Sequence, residues 1–200
     1  MKFHLDTAEV YVPDNTPVDV ALARTTHLCI AAHQDDIEIM SAQPIIECFQ
    51  QKDKWFTGVV MTDGRGSPRD ALYAEYSDDD MRLVRFKEQR KAAYVGEFSA
   101  QVMLDMPSKI IKDVSRNEPV EDLVALLQAT KPQVVYTHNL ADKHDTHVGV
   151  ALRVISALRK LDQAERPERV VGCEVWRALD WMVDPDKVLM NVSDHENLQF

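Results

Sequence analysis

Two hundred residues, 45% apolar and 28% charged, are enough for one domain with a sizeable core. A formal net charge of -10 excludes the broad basic footprint that nucleic acid or an anionic membrane surface requires, although a local Arg or Lys can still hold an anionic ligand. Three scattered cysteines, Cys29, Cys48 and Cys173, show no CxxC spacing; with no long apolar run at the start or elsewhere, the expectation is a cytoplasmic protein without signal peptide or membrane span.

Residues 1 to 24 read as a preamble: Phe3 to Val12 alternates loosely, as an edge strand does, and ends at Pro13-Asp14-Asn15, while Val18 to Arg24 is too short to assign. Leu28 to Ala32 has the length and flanks of a buried strand and stops on His33-Gln34-Asp35-Asp36-Ile37-Glu38. Pro44 to Lys52 reads as a short helix, since proline is tolerated in a first turn. Trp55 to Thr62 is a second buried strand, with the loop Thr62-Asp63-Gly64-Arg65-Gly66-Ser67-Pro68 at its carboxyl end. Asp70 to Asp80 is expected to be a mobile surface segment. Asp78-Asp79-Asp80 then supplies negative charge to the start of a long helix from Met81 to Val95, stopped at Gly96.

Gln101 to Met106 is a third strand. Pro119 to Thr130 is a helix with Val120, Leu123, Val124 and Leu127 on one face, ended by Lys131-Pro132. Gln133 to Thr137 is a further strand, followed by an irregular polar stretch, a helix from Thr146 to Leu161 and a strand from Val170 to Trp176. Strands alternating with helices predict right-handed βαβ units: a Rossmann-like, mostly parallel sheet flanked by helices, as a single α/β domain over residues 1–200. The chain closes on Val188 to Val192 and a helix start at Ser193-Asp194-His195-Glu196, so a missing C-terminal part is expected.

In such a sheet ligands bind beyond the carboxyl ends of the strands. His33 and Asp36 lie there three residues apart, close enough for a tight turn to aim both at one metal ion, with Asp35 beside it. His138 and His144-Asp145-Thr146-His147 follow the strand that begins at Gln133. His144 and His147 can share one face at a helix start, where the helix dipole disfavours protonated imidazole. Catalytic zinc takes three protein ligands and keeps one position for water, so His33, Asp36 and a histidine from His138, His144 and His147 form a candidate set. A lone histidine is more often a core or surface residue and a lone Asp-Asp pair a turn or cap; five polar groups after two strand ends are harder to explain that way. Asp63 and Arg65 either serve chain reversal or line a substrate mouth and contact hydroxyls. Their loop lacks the GxxxxGK[ST] and GxGxxG spacings of phosphate cradles. Trp55, Trp176 and Trp181 read as core or rim, with sugar stacking at Trp181 the lesser alternative.

Ala32-His33-Gln34-Asp35-Asp36-Ile37-Glu38 resembles the A-H-x-D-D-x-E signature of the PIG-L/LmbE-like zinc-dependent de-N-acetylases, which remove acetyl groups from N-acetylglucosaminyl conjugates. The likeness continues through Thr62-Asp63-Gly64, Arg85-x-x-Glu88, Gly96 and the element from His144 to His147, most of residues 27 to 155. By position it implies zinc held by His33, Asp36 and His147, with Fe(II) or Co(II) compatible with such donors. It further implies Asp35 as general base, His144 as general acid or electrostatic stabiliser, and Arg85 as a contact for sugar hydroxyls or phosphate-like groups. The implied substrate is a small N-acetylglucosamine-containing molecule, and a homo-oligomer is compatible with the fold class. Two positions depart from the pattern. Gln34 stands where proline is frequent, and Thr146 replaces an acidic residue that would orient a histidine, a place Asp145 is positioned to fill. The alternatives are a metal-dependent amidase on another amide conjugate, and a non-catalytic metal- or sugar-binding protein, which would have no need of Asp35.

Overall fold

Strands covered by helices on both faces must be apolar on both faces, and the four central strands of this chain are buried throughout their length. The computed structural model describes residues 1–177 and 179–193. Its strands are β1 (Glu9–Tyr11), β2 (His27–Ala31), β3 (Phe56–Thr62), β4 (Ala100–Met106), β5 (Val134–His138) and β6 (Arg169–Cys173). They form one sheet in the order β1-β4-β3-β2-β5-β6. β1 runs antiparallel to β4, and every other pairing is parallel. The helices are α1 (Val18–Ala23), α2 (Asp36–Met40), α3 (Ala42–Cys48), α4 (Asp78–Val95), α5 (Ser108–Lys112), α6 (Glu118–Thr130) and α7 (Asp145–Lys160).

The two-residue period of the strands sorts the side chains into two cores. Leu28 and Ile30 of β2 join Val59, Met61, Val102, Leu104 and Val135 against Leu123 and Leu127 of α6 and Val150 and Val154 of α7. Cys29 and Ala31, pointing the other way, join Phe56, Val60 and Tyr136 against Ile37 of α2, Cys48 of α3 and Ala93 of α4. Each large apolar side chain fully removed from water contributes about 1.5–3 kcal/mol. The three cysteines are free and buried, which suits small core residues. Among the described residues no helix is long and apolar enough to cross a membrane.

The chain lays down β2, β3 and β4 in one direction across the sheet and then returns through α6 to place β5 on the far side of β2. The strand order therefore reverses between β2 and β5, and the carboxyl ends there open a crevice. His33 follows β2, and His138 is the last residue of β5. The order brings both histidines to Asp36, 3.3 and 3.5 Å from its Oδ2.

Several boundaries differ from the sequence reading, each for a local reason. The edge strand shrinks to Glu9–Tyr11, because only that stretch pairs with Met103 to Gln101. The long helix starts at Asp78 rather than Met81: Ser77 Oγ accepts the Asp80 N–H at 3.2 Å and the Asp80 carboxylate accepts the Ser77 N–H at 3.0 Å, a reciprocal cap. The segment before it contains a 3-10 turn at Ala71–Tyr73. The short helix expected from Pro44 runs instead over Ala42–Cys48, keeping Pro44 in its first turn. α1, α2 and α5, of five or six residues, are too short to show a helical period. β6 ends at Cys173, not Trp176. The helix start expected at Ser193-Asp194-His195-Glu196 lies, beyond its first residue, outside the described residues.

Gly58, in the middle of β3, carries a packing constraint. A Cβ there would run into Gln101 Oε1 and lie 2.9 Å from Ile37 Cδ1. Gly58→Ala is expected to cost about 1–3 kcal/mol through overpacking, seen as a lower urea midpoint at an unchanged m-value.

Candidate metal centre

The turn after β2 is built around one carboxylate. Asp36 is 1% exposed, at the start of α2, and its Oδ2 accepts the main-chain N–H of His33 at 2.8 Å. The same oxygen lies 3.3 Å from His33 Nδ1, 3.4 Å from His147 Nε2 and 3.5 Å from His138 Nε2. Burial raises the carboxyl pKa, but the surrounding His138, His33 and His147 groups outweigh it and hold Asp36 well below the usual carboxylate range. It is an anion that donors have taken over from water.

Two overlapping groups bring three ligand-type atoms within 4.8 Å of one another: His33, His144 and His147, and Asp36, His138 and His147. Hydrogen bonding distinguishes among them. The Nε2 of His138 accepts the Ala32 N–H at 2.9 Å, so its lone pair is spent on the backbone, and its Nδ1 has no partner among the described residues. His147 Nδ1 faces Asp142 Oδ2 at 3.0 Å. That carboxylate accepts a hydrogen bond from the ring Nδ1–H and leaves the Nε2 lone pair free, the way a histidine ligand is oriented. His147 Nε2 lies 3.2 Å from His33 Nδ1. His33 Nδ1, Asp36 Oδ2 and His147 Nε2 thus form a triangle with edges of 3.2–3.4 Å. Four-coordinate zinc with ligands at about 2.0–2.1 Å requires edges of about 3.3–3.4 Å. Three lone pairs converging at this spacing repel unless a proton or cation sits among them, so the donor set fits a divalent ion.

His144, the N-cap of α7, stacks on His147 with ring centroids 4.5 Å apart and meets His33 edge-on at 5.0 Å. Its Nδ1 accepts the Thr146 N–H at 3.2 Å, so the neutral ring carries its proton on Nε2 as a donor. Desolvation, and then the His138 ring, push the His147 pKa down from 6.5, against the pull of Asp36 and Asp142. Trp176 lies beside His147 with ring centroids 6.4 Å apart and is half exposed.

Asp35 stands at φ 86°, the left-handed region. Its side chain is 59% exposed and pairs with Arg85 of α4 at 2.8 Å, and Arg85 also donates to the Gln34 carbonyl and, at 2.6 Å, to Glu88. Asp63 is buried with its Oδ1 accepting the Arg65 N–H at 3.2 Å, and desolvation pushes its carboxyl above the usual range. Arg65 pairs with Asp63 at 3.3 Å and with Asp79 at the start of α4. The loop between them packs on Arg85 and Gln34, since a Cβ on Gly64 would lie 3.0 Å from Arg85 Cβ. Among the described residues, no hydrogen bond of Arg85, Asp63 or Arg65 reaches the histidine cluster.

The orienting acceptor for His147 is Asp142. Asp145 is exposed and pairs instead with Lys112 of α5 at 2.8 Å, its Oδ1 lying 3.6 Å from His144 Nδ1. The only sequence signal for Asp142 was an acidic residue in the polar stretch five positions before His147.

Residues 28–158 match the family PIG-L, described as GlcNAc-PI de-N-acetylase. The chain belongs to this family. No match was found among curated protein sequences. The fold is shared with N,N'-diacetylchitobiose deacetylase from Pyrococcus horikoshii, at a TM-score of 0.62 and 18% identity over 76% of this chain and 61% of that one. It is shared with the 4-carboxy-2-hydroxymuconate hydratase GalB from Pseudomonas putida, at 0.59 and 17% over 74% and 62%. The A40926 pseudoaglycone deacetylase gives 0.55 and 19% over 86% and 70%. The chain spans about three fifths of the length of the first of these structures. The orienting role of Asp142 is directly testable. Asp142→Asn is expected to weaken the binding of an added divalent ion by about 10–100-fold, measured by competition with a chromophoric chelator.

Proposed function

We propose that this PIG-L family chain is a metal-dependent de-N-acetylase that hydrolyses the N-acetyl group of a small N-acetylglucosamine-containing molecule. The observation that supports this reading is the triangle of His33 Nδ1, Asp36 Oδ2 and His147 Nε2 at 3.2–3.4 Å, with an exposed carboxylate, Asp35, next to it in the chain. The fold cannot choose the reaction, since a hydratase shares it; the family match and the donor set carry the argument.

His33, Asp36 and His147 would hold a divalent ion, zinc by the resemblance and Fe(II) or Co(II) by donor type, which would supply Lewis acidity for an amide carbonyl and a nucleophilic water near neutral pH. Asp35 accepts the proton of the attacking water, with Arg85 fixing the direction of its carboxylate. His144 donates its Nε2 proton toward the carbonyl oxygen as negative charge develops there, a contact worth about 10²–10³ in kcat for a well-placed donor. Asp35 or His144 returns a proton to the departing amine. Arg85, Asp63 and Arg65, packed together on the Asp35 side of the turn, are the proposed contacts for sugar hydroxyls.

Acetate release from N-acetylglucosamine and its glycosides, with metal-defined protein, tests the reading. Asp35→Asn is expected to bind metal as the parent does and to lose about 10²–10⁴-fold in kcat. Loss of metal instead would make Asp35 a ligand, and a metal-loaded parent that releases no acetate would move the reaction to another amide.

The pH dependence has a definite sign. The His147 pKa lies below 6.5 and Asp36 stays ionised, so protons compete with the metal only on the acid side. Metal affinity is expected to be level between about pH 7 and 8 and to fall below about pH 6.5. Equilibrium binding across this range checks it, and a constant affinity down to pH 5 would contradict the assigned ligands.

A further inference from the structure

The backbone of Asp35 occupies a region that a residue with a side chain adopts only when its surroundings impose it. The salt bridge to Arg85 holds the carboxylate but leaves the peptide free to turn. A second residue, one helical turn along α4 and on the same face, reaches the main chain. Gln89 is 2% exposed, and its Oε1 accepts the Asp35 N–H at 3.3 Å. Its Nε2 donates to Glu38 Oε1 at 2.7 Å and to Gln101 Oε1 at 3.3 Å. Two oxygens on that side leave the amide only one orientation, with its oxygen toward Asp35. Gln101 is fixed in turn, its Nε2 donating to the Val102 carbonyl at 3.0 Å and its Oε1 filling the space that Gly58 leaves open. Glu38, the last residue of the H-x-D-D-x-E signature, otherwise has no part in the chemistry. Here it anchors Gln89.

We infer that Gln89 is a positioning residue: oriented by Glu38 and Gln101, it sets the direction of Asp35 by holding its peptide N–H. The inference rests on the reading of Asp35 as general base, but its first test does not depend on activity. Gln89→Met keeps the length of the side chain and removes the acceptor. In metal-free protein the Asp35 amide is expected to exchange with solvent deuterium about tenfold faster than in the parent. In loaded protein, metal affinity and KM are expected to hold while kcat falls about tenfold.

The paired variant Gln89→Glu with Glu38→Gln, made in a Gln101→Met background so that no fixed oxygen faces the new carboxylate, restores an acceptor for Asp35 and reverses the polarity of the bond between positions 89 and 38. It is expected to recover most of the exchange protection and of kcat, and if Gln89→Met does not fold, this variant decides the matter. Unchanged Asp35 exchange in folded Gln89→Met would overturn the inference. So would metal affinity falling in step with kcat, which would place Gln89 in support of the ligand triangle, or a folded paired variant that stays unprotected. A parent that releases no acetate would remove the de-N-acetylase reading alone, and the exchange result would still decide what Gln89 does.

Discussion

A carboxylate removed from water must find other donors or lose its charge, and the turn after β2 is shaped by how Asp36 finds them. The His33 N–H, one residue triplet upstream, supplies the shortest contact at 2.8 Å. Closing that bond curls the chain back on itself and leaves Asp35, between the two, with a positive φ. One local hydrogen bond thus puts two adjacent aspartates into opposite situations: Asp36 buried among imidazoles, Asp35 turned outward to meet Arg85. Their different surroundings follow from backbone geometry before any metal or substrate is considered.

The rest of the centre depends on the order of the strands. Because β5 returns to lie against β2, α7, which follows β5, brings His147 to Asp36 from a position 111 residues further along the chain. Around this meeting point each imidazole has a distinct assignment. His138 gives its lone pair to the Ala32 backbone and His144 to the first turn of α7, while His33 Nδ1 and His147 Nε2 lie 3.3 and 3.4 Å from Asp36 Oδ2. Four histidines near one carboxylate offer several ligand sets; the hydrogen bonds to backbone and to Asp142 favour the triangle of His33, Asp36 and His147.

The larger elements were legible because their signals are local. Buried strands such as Leu28 to Ala32 and Gln133 to Thr137 declare themselves as short apolar runs, and α4, α6 and α7 are long enough for a helical period or a capping pattern. α2 and α5 are not, and the start of α4 was misplaced because Asp78 to Asp80 were read as charge ahead of the helix rather than as its first turn behind a Ser77 cap. The same limit applied to Asp145, whose place in the chain suggested an orienting role that its exposure and its pairing with Lys112 do not support.

The sequence by itself determined the α/β alternation, the family and the group of residues from which a metal centre can be drawn, since spacing along one segment limits which side chains can share a turn. Tertiary structure alone decided which lone pairs are free, that Asp142 orients His147, and that Gln89 braces Asp35. These are contacts between side chains on different elements, such as Asp35 with Gln89 across 54 residues and Ala32 with His138 across 106. A hydrogen bond of that kind imposes no period or composition on either segment, so only the packed sheet and its helices reveal it.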